Sequence, residues 1–152
     1  MQFTVTTPIN ASATKVWDVV GNDFNDISEW ASIVTTSRAN SDLPQGQEGR
    51  ICEVQGMGPT VETLQNYDDS NQELSFTLES NKMPFFVKKV LSTWSVKDLG
   101  NDQAEVSTTG DFTLSQPFAF LMGGMLKGRM SKQTKMIQEE LKHFIETGQP
   151  KA

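Results

Sequence analysis

An acid and a base occupy positions of the same parity on two neighbouring predicted strands. Glu62 follows, and Arg50 precedes, a glycine-containing turn at 56–59 that makes the two strands a hairpin. A pairing centred on position 58 sets Val54 opposite Glu62, with Arg50 farther along the same face. In a cavity this carboxyl group can act as a general acid or base, or Arg50 can neutralise it so that the pair orients a ligand. An exposed polar pair on the outer face of a sheet fits the pattern equally well.

Tyr67 adds a phenolic hydroxyl near the end of the same strand. Such a group can fix a ligand carbonyl, and either it or Arg50 can stabilise an enolate while Glu62 moves a proton. A tyrosine directly before two aspartates is also typical of a residue at the rim of a sheet. These three residues are the catalytic candidates if the chain is an enzyme.

Metal and cofactor chemistry have little support in the sequence. The chain contains one His and one Cys, and neither a nucleophile elbow nor a phosphate-binding glycine loop occurs. His143 falls near the end of the last predicted helix, where an imidazole suits the helix dipole. Cys52 is expected to be a small buried hydrophobe. We therefore predict no metal and no cofactor.

Apolar side chains predict a binding site for a hydrophobic molecule. Aromatic residues share one face of several predicted strands, and methionines, which adapt to different shapes, cluster near the start of the last helix. The predicted lining is Phe24, Trp30, Val54, Leu64, Phe76, Trp94, Phe112, Phe118, Met122 and Met125. Apolar residues at two hairpin tips are expected to frame a mouth, or alternatively to mediate dimers. They are Met57, Met83, Phe85 and Phe86.

The elements that must position these residues follow from periodicity. Period-two alternation and turn signals predict a first strand that ends at Pro8 and six further strands joined by short connections. These six are 33–40, 48–55, 60–67, 73–80, 87–98 and 103–114. Short connections make neighbouring strands antiparallel, so the sheet is predicted to be a meander.

Helical spacing predicts two short helices and one long one. The short helices cover 11–20, capped by Ser12 or Asn10, and 23–29, capped by Asp23. The long helix covers 115–147, and its apolar stripe is expected to pack on the sheet. That stripe is Leu126, Met130, Ile137, Leu141, Phe144 and Ile145. The paired glycines 123–124 suggest a kink.

Length and charge bound the class of protein. A chain of 152 residues fits one domain spanning 1–152, with 148–152 expected to be a loose tail. The net charge of −6 and the pI near 4.7 argue against nucleic acid or an anionic membrane as the main partner. No targeting segment and no span of roughly 20 apolar residues is visible, so a cytoplasmic protein without integral membrane association is expected.

Several segments together resemble a known superfamily. They are the run 9–24, Trp30, Gly49-Arg50, the strand segment 61–64, Tyr67-Asp68 and the segment 94–96. The chain is similar to the Bet v 1-like or START-like (SRPBCC) superfamily, in particular to its bacterial polyketide cyclase/dehydrase-like members. This resemblance implies an α+β helix-grip fold. In that fold a curved antiparallel sheet of about seven strands wraps a long C-terminal helix, with two short helices after strand one and a cavity between sheet and helix.

Three functions are compatible with these observations. The leading hypothesis is a carrier that binds a small hydrophobic, ring-containing molecule, lipid- or polyketide-like. The second is a cofactor-independent cyclase or dehydratase that uses Glu62 as its acid or base. The third is a protein-interaction module of the co-chaperone type. A monomer or weak homodimer is expected in each case.

Overall fold

The computed structural model describes residues 1–151 and contains one seven-stranded antiparallel sheet. Its strands run in the order β1-β7-β6-β5-β4-β3-β2. Their bounds are β1 Gln2–Ile9, β2 Val34–Ala39, β3 Gly49–Val54, β4 Gly58–Asp68, β5 Glu73–Ser80, β6 Val87–Gly100 and β7 Gln103–Leu114. The predicted meander is confirmed for β2 to β7, and β1 joins its far edge by pairing with β7. The helix-grip architecture is therefore observed, with a long helix α2 at Phe118–Thr147.

The first strand differs from the prediction at its end. Pro8 does not stop β1, which continues to Ile9 and pairs with Ala104 of β7. A proline removes one backbone donor, but β1 is an edge strand, where a missing donor is tolerated. Alternate residues of β1 are buried, as the period-two pattern predicted.

The two short helices are less regular than predicted. The first, α1, covers only Ala13–Trp17, and the chain then continues as a π turn over Asp18–Asn22. Ser12 is the cap, because its hydroxyl accepts a hydrogen bond from the Lys15 amide at 3.2 Å. The second is a 3-10 turn over Phe24–Glu29, and the predicted cap Asp23 makes no side-chain capping bond.

Helix α2 packs along β1 and β7 by the predicted apolar stripe. Leu141 and Ile145 are buried in the main core, while Leu126 and Met130 pack against a second cluster. The buried members of that cluster are Phe3, Val5, Phe112 and Leu114. The helix begins three residues later than predicted and runs unbroken through both glycines. A Cβ on Gly123 would meet the end of the flexible Met1 side chain, which would have to move to make room.

Helix α2 ends at Thr147, and Gly148 follows in the left-handed conformation with φ +75°, a typical C-terminal stop. Ala152, the last residue of the predicted tail, lies outside the described residues. Along 1–151 no helix combines the length and apolarity needed to cross a bilayer.

A buried amide fixes α2 on the sheet. Gln138 is fully buried, and its oxygen accepts a hydrogen bond from the Thr7 hydroxyl at 2.7 Å. Its nitrogen donates to the Val5 carbonyl and to the Thr108 hydroxyl, both at 2.9 Å. Because buried polar groups are costly unless paired, this set of bonds selects one rotation and one height of the helix.

We expect Gln138→Leu to lower the free energy of unfolding by about 2 to 3 kcal/mol, because it leaves buried sheet groups without partners. The change is measured by urea denaturation. Gln133→Leu, on the exposed side of the same helix, is the control and should change the value by less than about 0.5 kcal/mol. Equal effects of the two substitutions would contradict a special role for Gln138.

Candidate functional site

The hairpin of β3 and β4 brings the predicted acid and base face to face. Arg50 pairs with Glu62, and Val54 pairs with Gly58. Each residue's partner lies four residues away from the predicted one, because the turn is centred on position 56 and Met57 N–H donates to the Val54 carbonyl at 3.1 Å. A shift by an even number of residues preserves the face on which each side chain lies. Both charged side chains therefore still point inward, now directly opposite each other.

Arg50 and Glu62 form a buried ion pair. Arg50 Nε donates to Glu62 Oε2 at 2.5 Å, and the two side chains are 5% and 8% exposed. Arg50 Nη1 donates to the backbone carbonyl of Phe24 in the 3-10 turn. One guanidinium thus joins β3, β4 and the 3-10 turn.

Two aromatic rings surround the same guanidinium. Its central carbon lies 3.8 Å from the ring centre of Phe24 and 5.3 Å from that of Phe76. The two rings meet edge to face, with their centres 5.5 Å apart. A cation held against ring faces away from water gains electrostatic stabilisation beyond its ion pair. Arg50 is therefore fixed by an ion pair, a backbone hydrogen bond and two rings.

A small pocket lies beside Arg50. Its volume is about 20 Å³, room for roughly one water molecule. It is lined by Val19, Val20, Asp23, Phe24, Ile27, Trp30, Arg50, Leu74, Phe76 and Trp94. These residues come from segment 19–30 and from β3, β5 and β6. The pocket is thus formed between the short helical turns and the sheet, and not against α2 as the resemblance implied.

A larger groove opens where β5 and β6 separate. The two strands pair only from Glu73 to Thr77, opposite Ser95 to Leu91. Beyond this point β5 pairs with β4 alone and β6 with β7 alone. The separation leaves a groove of about 480 Å³. It is lined by Thr77, Leu78, Glu79, Ser80, Met83, Pro84, Phe85, Val87, Lys88, Lys89 and Val90.

The structure brings together four of the ten predicted lining residues and two of the four predicted mouth residues. Phe24, Trp30, Phe76 and Trp94 line the pocket with Arg50, and the mouth residues Met83 and Phe85 line the groove. The carboxylate of Glu62 is inward and buried, but Glu62 is not among the pocket-lining residues. Arg50, rather than Glu62, is therefore the charged group presented to the pocket by the pair.

The other predicted lining residues lie elsewhere. Val54 and Leu64 pack against the main core, and Phe112 is enclosed in the second cluster. Phe118 stacks on the mouth residue Phe86 with ring centres 4.8 Å apart. The remaining three sit outside both cavities: Met57 in the β3–β4 turn and Met122 on α2 are half-buried, and Met125 on α2 is 59% exposed.

Tyr67 does not join the pair. Its hydroxyl donates to Asn22 Oδ1 at 2.9 Å, and its ring packs on Trp17 at 5.5 Å between centres. A bulge in β4 between Leu64 and Asn66 shifts the pairing at this end of the strand. Burial raises the pKa of the phenol, with nearby carboxylates adding to the effect. Tyr67 is thus a rim residue, the alternative that its position before two aspartates favoured.

Some pocket residues went unpredicted although signals for them existed. Leu74 has the same strand parity as Phe76, and Ile27 shares a helical face with Phe24. For the groove the sequence indicated only the mouth residues Met83 and Phe85. The opening itself depends on where the β5–β6 pairing stops, which the sequence of neither strand indicates.

The ion pair should be strongly coupled. We expect Arg50→Met and Glu62→Leu each to lower the free energy of unfolding by about 3 to 5 kcal/mol, because each leaves a buried charge without its partner. The double variant should recover most of this loss, as measured by denaturant titration of all four proteins. The exposed pair of Lys135 and Glu139, 3.2 Å apart, is the control and should show coupling of at most about 1 kcal/mol. Additive effects at positions 50 and 62 would contradict the pairing.

Cys52 should make stability depend on alkaline pH. Burial, reinforced by the Glu62 charge, raises the pKa of the thiol from 9.0 to about 12. The unfolded chain loses this proton above pH 9 while the folded chain keeps it, so folding loses free energy as pH rises. We expect the stability difference between wild type and Cys52→Ala to fall by about 1.4 kcal/mol from pH 8 to pH 10. A constant difference would contradict the raised pKa.

Comparison with known proteins bears on the fold and on the family. A START superfamily protein from Mycobacterium smegmatis is 19% identical, with a TM-score of 0.71 over 95% of this chain and 97% of that one. The di-domain ARO/CYC BexL from the BE-7585A biosynthetic pathway is 14% identical, with a TM-score of 0.79 over 96% of this chain and 46% of that one. Ara h 8.0201 is 7% identical, with a TM-score of 0.73 over 97% and 98%. At these identities the likeness shows the fold alone.

The search against curated protein sequences found no match. A family model described as polyketide cyclase / dehydrase and lipid transport matches residues 1–144, nearly the whole chain. The matched segment contains all seven strands, the Arg50–Glu62 pair, the pocket and most of α2. The chain therefore belongs to the polyketide cyclase / dehydrase and lipid transport family.

Proposed function

We propose that this protein binds a small hydrophobic, ring-containing molecule of lipid- or polyketide-like chemistry. The observation that carries the proposal is the guanidinium of Arg50, held against two aromatic rings at the edge of a largely apolar pocket that Asp23 also lines. A guanidinium fixed in this way can donate a hydrogen bond to one carbonyl or enol oxygen of a ligand. The surrounding apolar side chains suit the remaining carbon skeleton.

The two cavities supply different parts of this site. The pocket beside Arg50 is too small for more than a polar tip, whereas the groove of about 480 Å³ falls within the range typical of ligand sites. Arg50, Glu62 and Leu78 are successive neighbours across β3, β4 and β5. Strand spacing places Leu78 roughly 10 Å from Arg50. A ligand with its body in the groove would reach Arg50 with its polar end.

The family description and the fold support a hydrophobic ligand in general terms. The ARO/CYC neighbour comes from a biosynthetic pathway, and the family model names both cyclase / dehydrase chemistry and lipid transport. A carrier is favoured over an enzyme because Glu62 is engaged by Arg50 and lies outside the pocket lining. Turnover of a polyketide-like substrate that is abolished in Glu62→Gln would favour the cyclase instead.

Tryptophan fluorescence gives a direct test. Trp30 and Trp94 line the pocket, whereas Trp17 is buried elsewhere and donates from Nε1 to Asp69 Oδ1 at 2.7 Å. We expect saturable quenching when the protein is titrated with an anthraquinone such as emodin. Trp30→Phe and Trp94→Phe should each reduce the amplitude substantially, and Trp17→Phe, the matched control, should preserve it.

Arg50→Lys tests the polar end of the same site. It keeps the positive charge but loses the planar fork, so emodin affinity should fall about tenfold. Circular dichroism checks that the variant is folded. Absence of saturable quenching in the wild type, or an unchanged amplitude after both pocket tryptophans are replaced, would refute binding at this pocket.

A further inference from the structure

The basic residues of this acidic protein are concentrated in two segments. Segments 81–90 and 112–138 together contain seven of the 13 Lys and Arg residues and none of the 19 Asp and Glu residues. Within 1–151, Lys135 is the one cation of these seven that pairs with an acid, Glu139. The net charge of −6 therefore conceals a strongly cationic region, and it does not describe the surface that these two segments form.

The two segments meet in space. The Ser115 amide, just before α2, donates to the Phe86 carbonyl in the β5–β6 loop at 2.8 Å. Phe85 of the loop contacts Phe118 of α2 edge to face, with ring centres 5.3 Å apart. The loop and the first turns of α2 thus form one continuous surface at one end of the molecule.

Large apolar side chains project from this surface. Phe85 is 74% exposed, Phe120 87%, Leu121 69% and Met125 59%. Exposed apolar residues grouped in this way typically mark an interaction site, whereas single ones need no explanation. We call the combination of these four residues with the surrounding cations the α2 patch. Its cations are Lys88, Lys89, Lys127, Arg129 and Lys132.

The cations are placed to accompany the apolar residues. On α2, spacings of three, four and seven residues put Arg129 and Lys132 on the face of Leu121 and Met125. Lys127 falls on the face of Phe120 by the same spacing. On the loop, Lys88 and Lys89 line the groove beside Phe85, where Glu79 is the one acidic lining residue.

We infer that the α2 patch docks the protein onto the surface of an anionic lipid bilayer. Aromatic and aliphatic side chains beside clustered Lys and Arg are the chemistry of interfacial membrane binding, in which apolar groups enter the headgroup boundary and cations meet lipid phosphates. A second copy of the chain is a poorer partner, because a two-fold contact through this patch would place cations against cations. A nucleic acid would not use Leu121 and Met125 on a convex helix face.

Docking in this orientation would place the groove at the bilayer, since Phe85, Lys88 and Lys89 belong both to the patch and to the groove lining. The docking proposal itself stands on exposure and charge, and it does not depend on the ligand proposed above. Membrane docking and ligand binding can therefore be refuted independently of each other.

Vesicle flotation tests the proposal. Phosphatidylcholine vesicles with 30% phosphatidylserine should bind the full-length protein, pure phosphatidylcholine vesicles should bind it far less, and 0.5 M NaCl should weaken the binding. Arg129→Gln/Lys132→Gln should reduce partitioning about 30-fold, at roughly fivefold for each cation. Phe120→Ser/Leu121→Ser should reduce it by at least about tenfold.

Lys97→Gln/Leu99→Ser is the matched control. It removes an exposed cation and an exposed apolar residue from the far end of β6, and partitioning should stay within about twofold. Emodin quenching should be unchanged in all three double variants. The proposal is overturned if the wild type does not bind anionic vesicles, or if the control variant loses as much binding as the patch variants. It is also overturned if sedimentation shows that the wild type is a dimer and that the patch variants are monomers.

Discussion

The buried pair of Arg50 and Glu62 is the constraint on which the site depends. Two opposite charges removed from water are stable only when they meet in good geometry and their remaining hydrogen-bonding groups also find partners. Here that requirement fixes the register of β3 against β4 and, through the Phe24 carbonyl, the position of the 3-10 turn over the sheet. The rings of Phe24 and Phe76 then complete the enclosure of the guanidinium. The pocket exists where it does because these contacts must hold together.

A second polar anchor, Gln138, separates two ends of the molecule. Gln138 fixes α2 against β1 and β7, so the helix covers the sheet on that side and leaves segment 19–30 to cover Arg50. The first turns of α2 lie beyond the anchor and carry exposed apolar residues. They meet the loop between β5 and β6 at the place where these strands separate. The apolar residues in the later turns of α2 thus pack in the core, whereas those in its first turns project outward.

The ion pair also bears on the choice between carrier and enzyme. A carboxylate that already accepts a guanidinium hydrogen bond is held in place, and Glu62 is not among the residues that line the pocket. Arg50 faces the pocket with aromatic neighbours and is suited to recognition of an oxygen atom. The family includes both cyclase / dehydrase and lipid-transport roles by description, so the residues of this particular site decide the proposal.

The sequence by itself determined the elements, the faces of the strands and the family. Period-two alternation survives a register error of four residues, which is why Arg50 and Glu62 were correctly placed on one face although their pairing was wrong. The apolar stripe of α2 could likewise be predicted, because helical spacing depends only on residues close together in the sequence. Tertiary structure alone decided the rest. It placed Tyr67 at the far end of β4, where its hydroxyl donates to Asn22, and the early end of β5–β6 pairing opened the groove. Periodicity within an element is local, whereas the distances between elements are set by packing across the whole chain. That packing brought two cationic segments together into one surface.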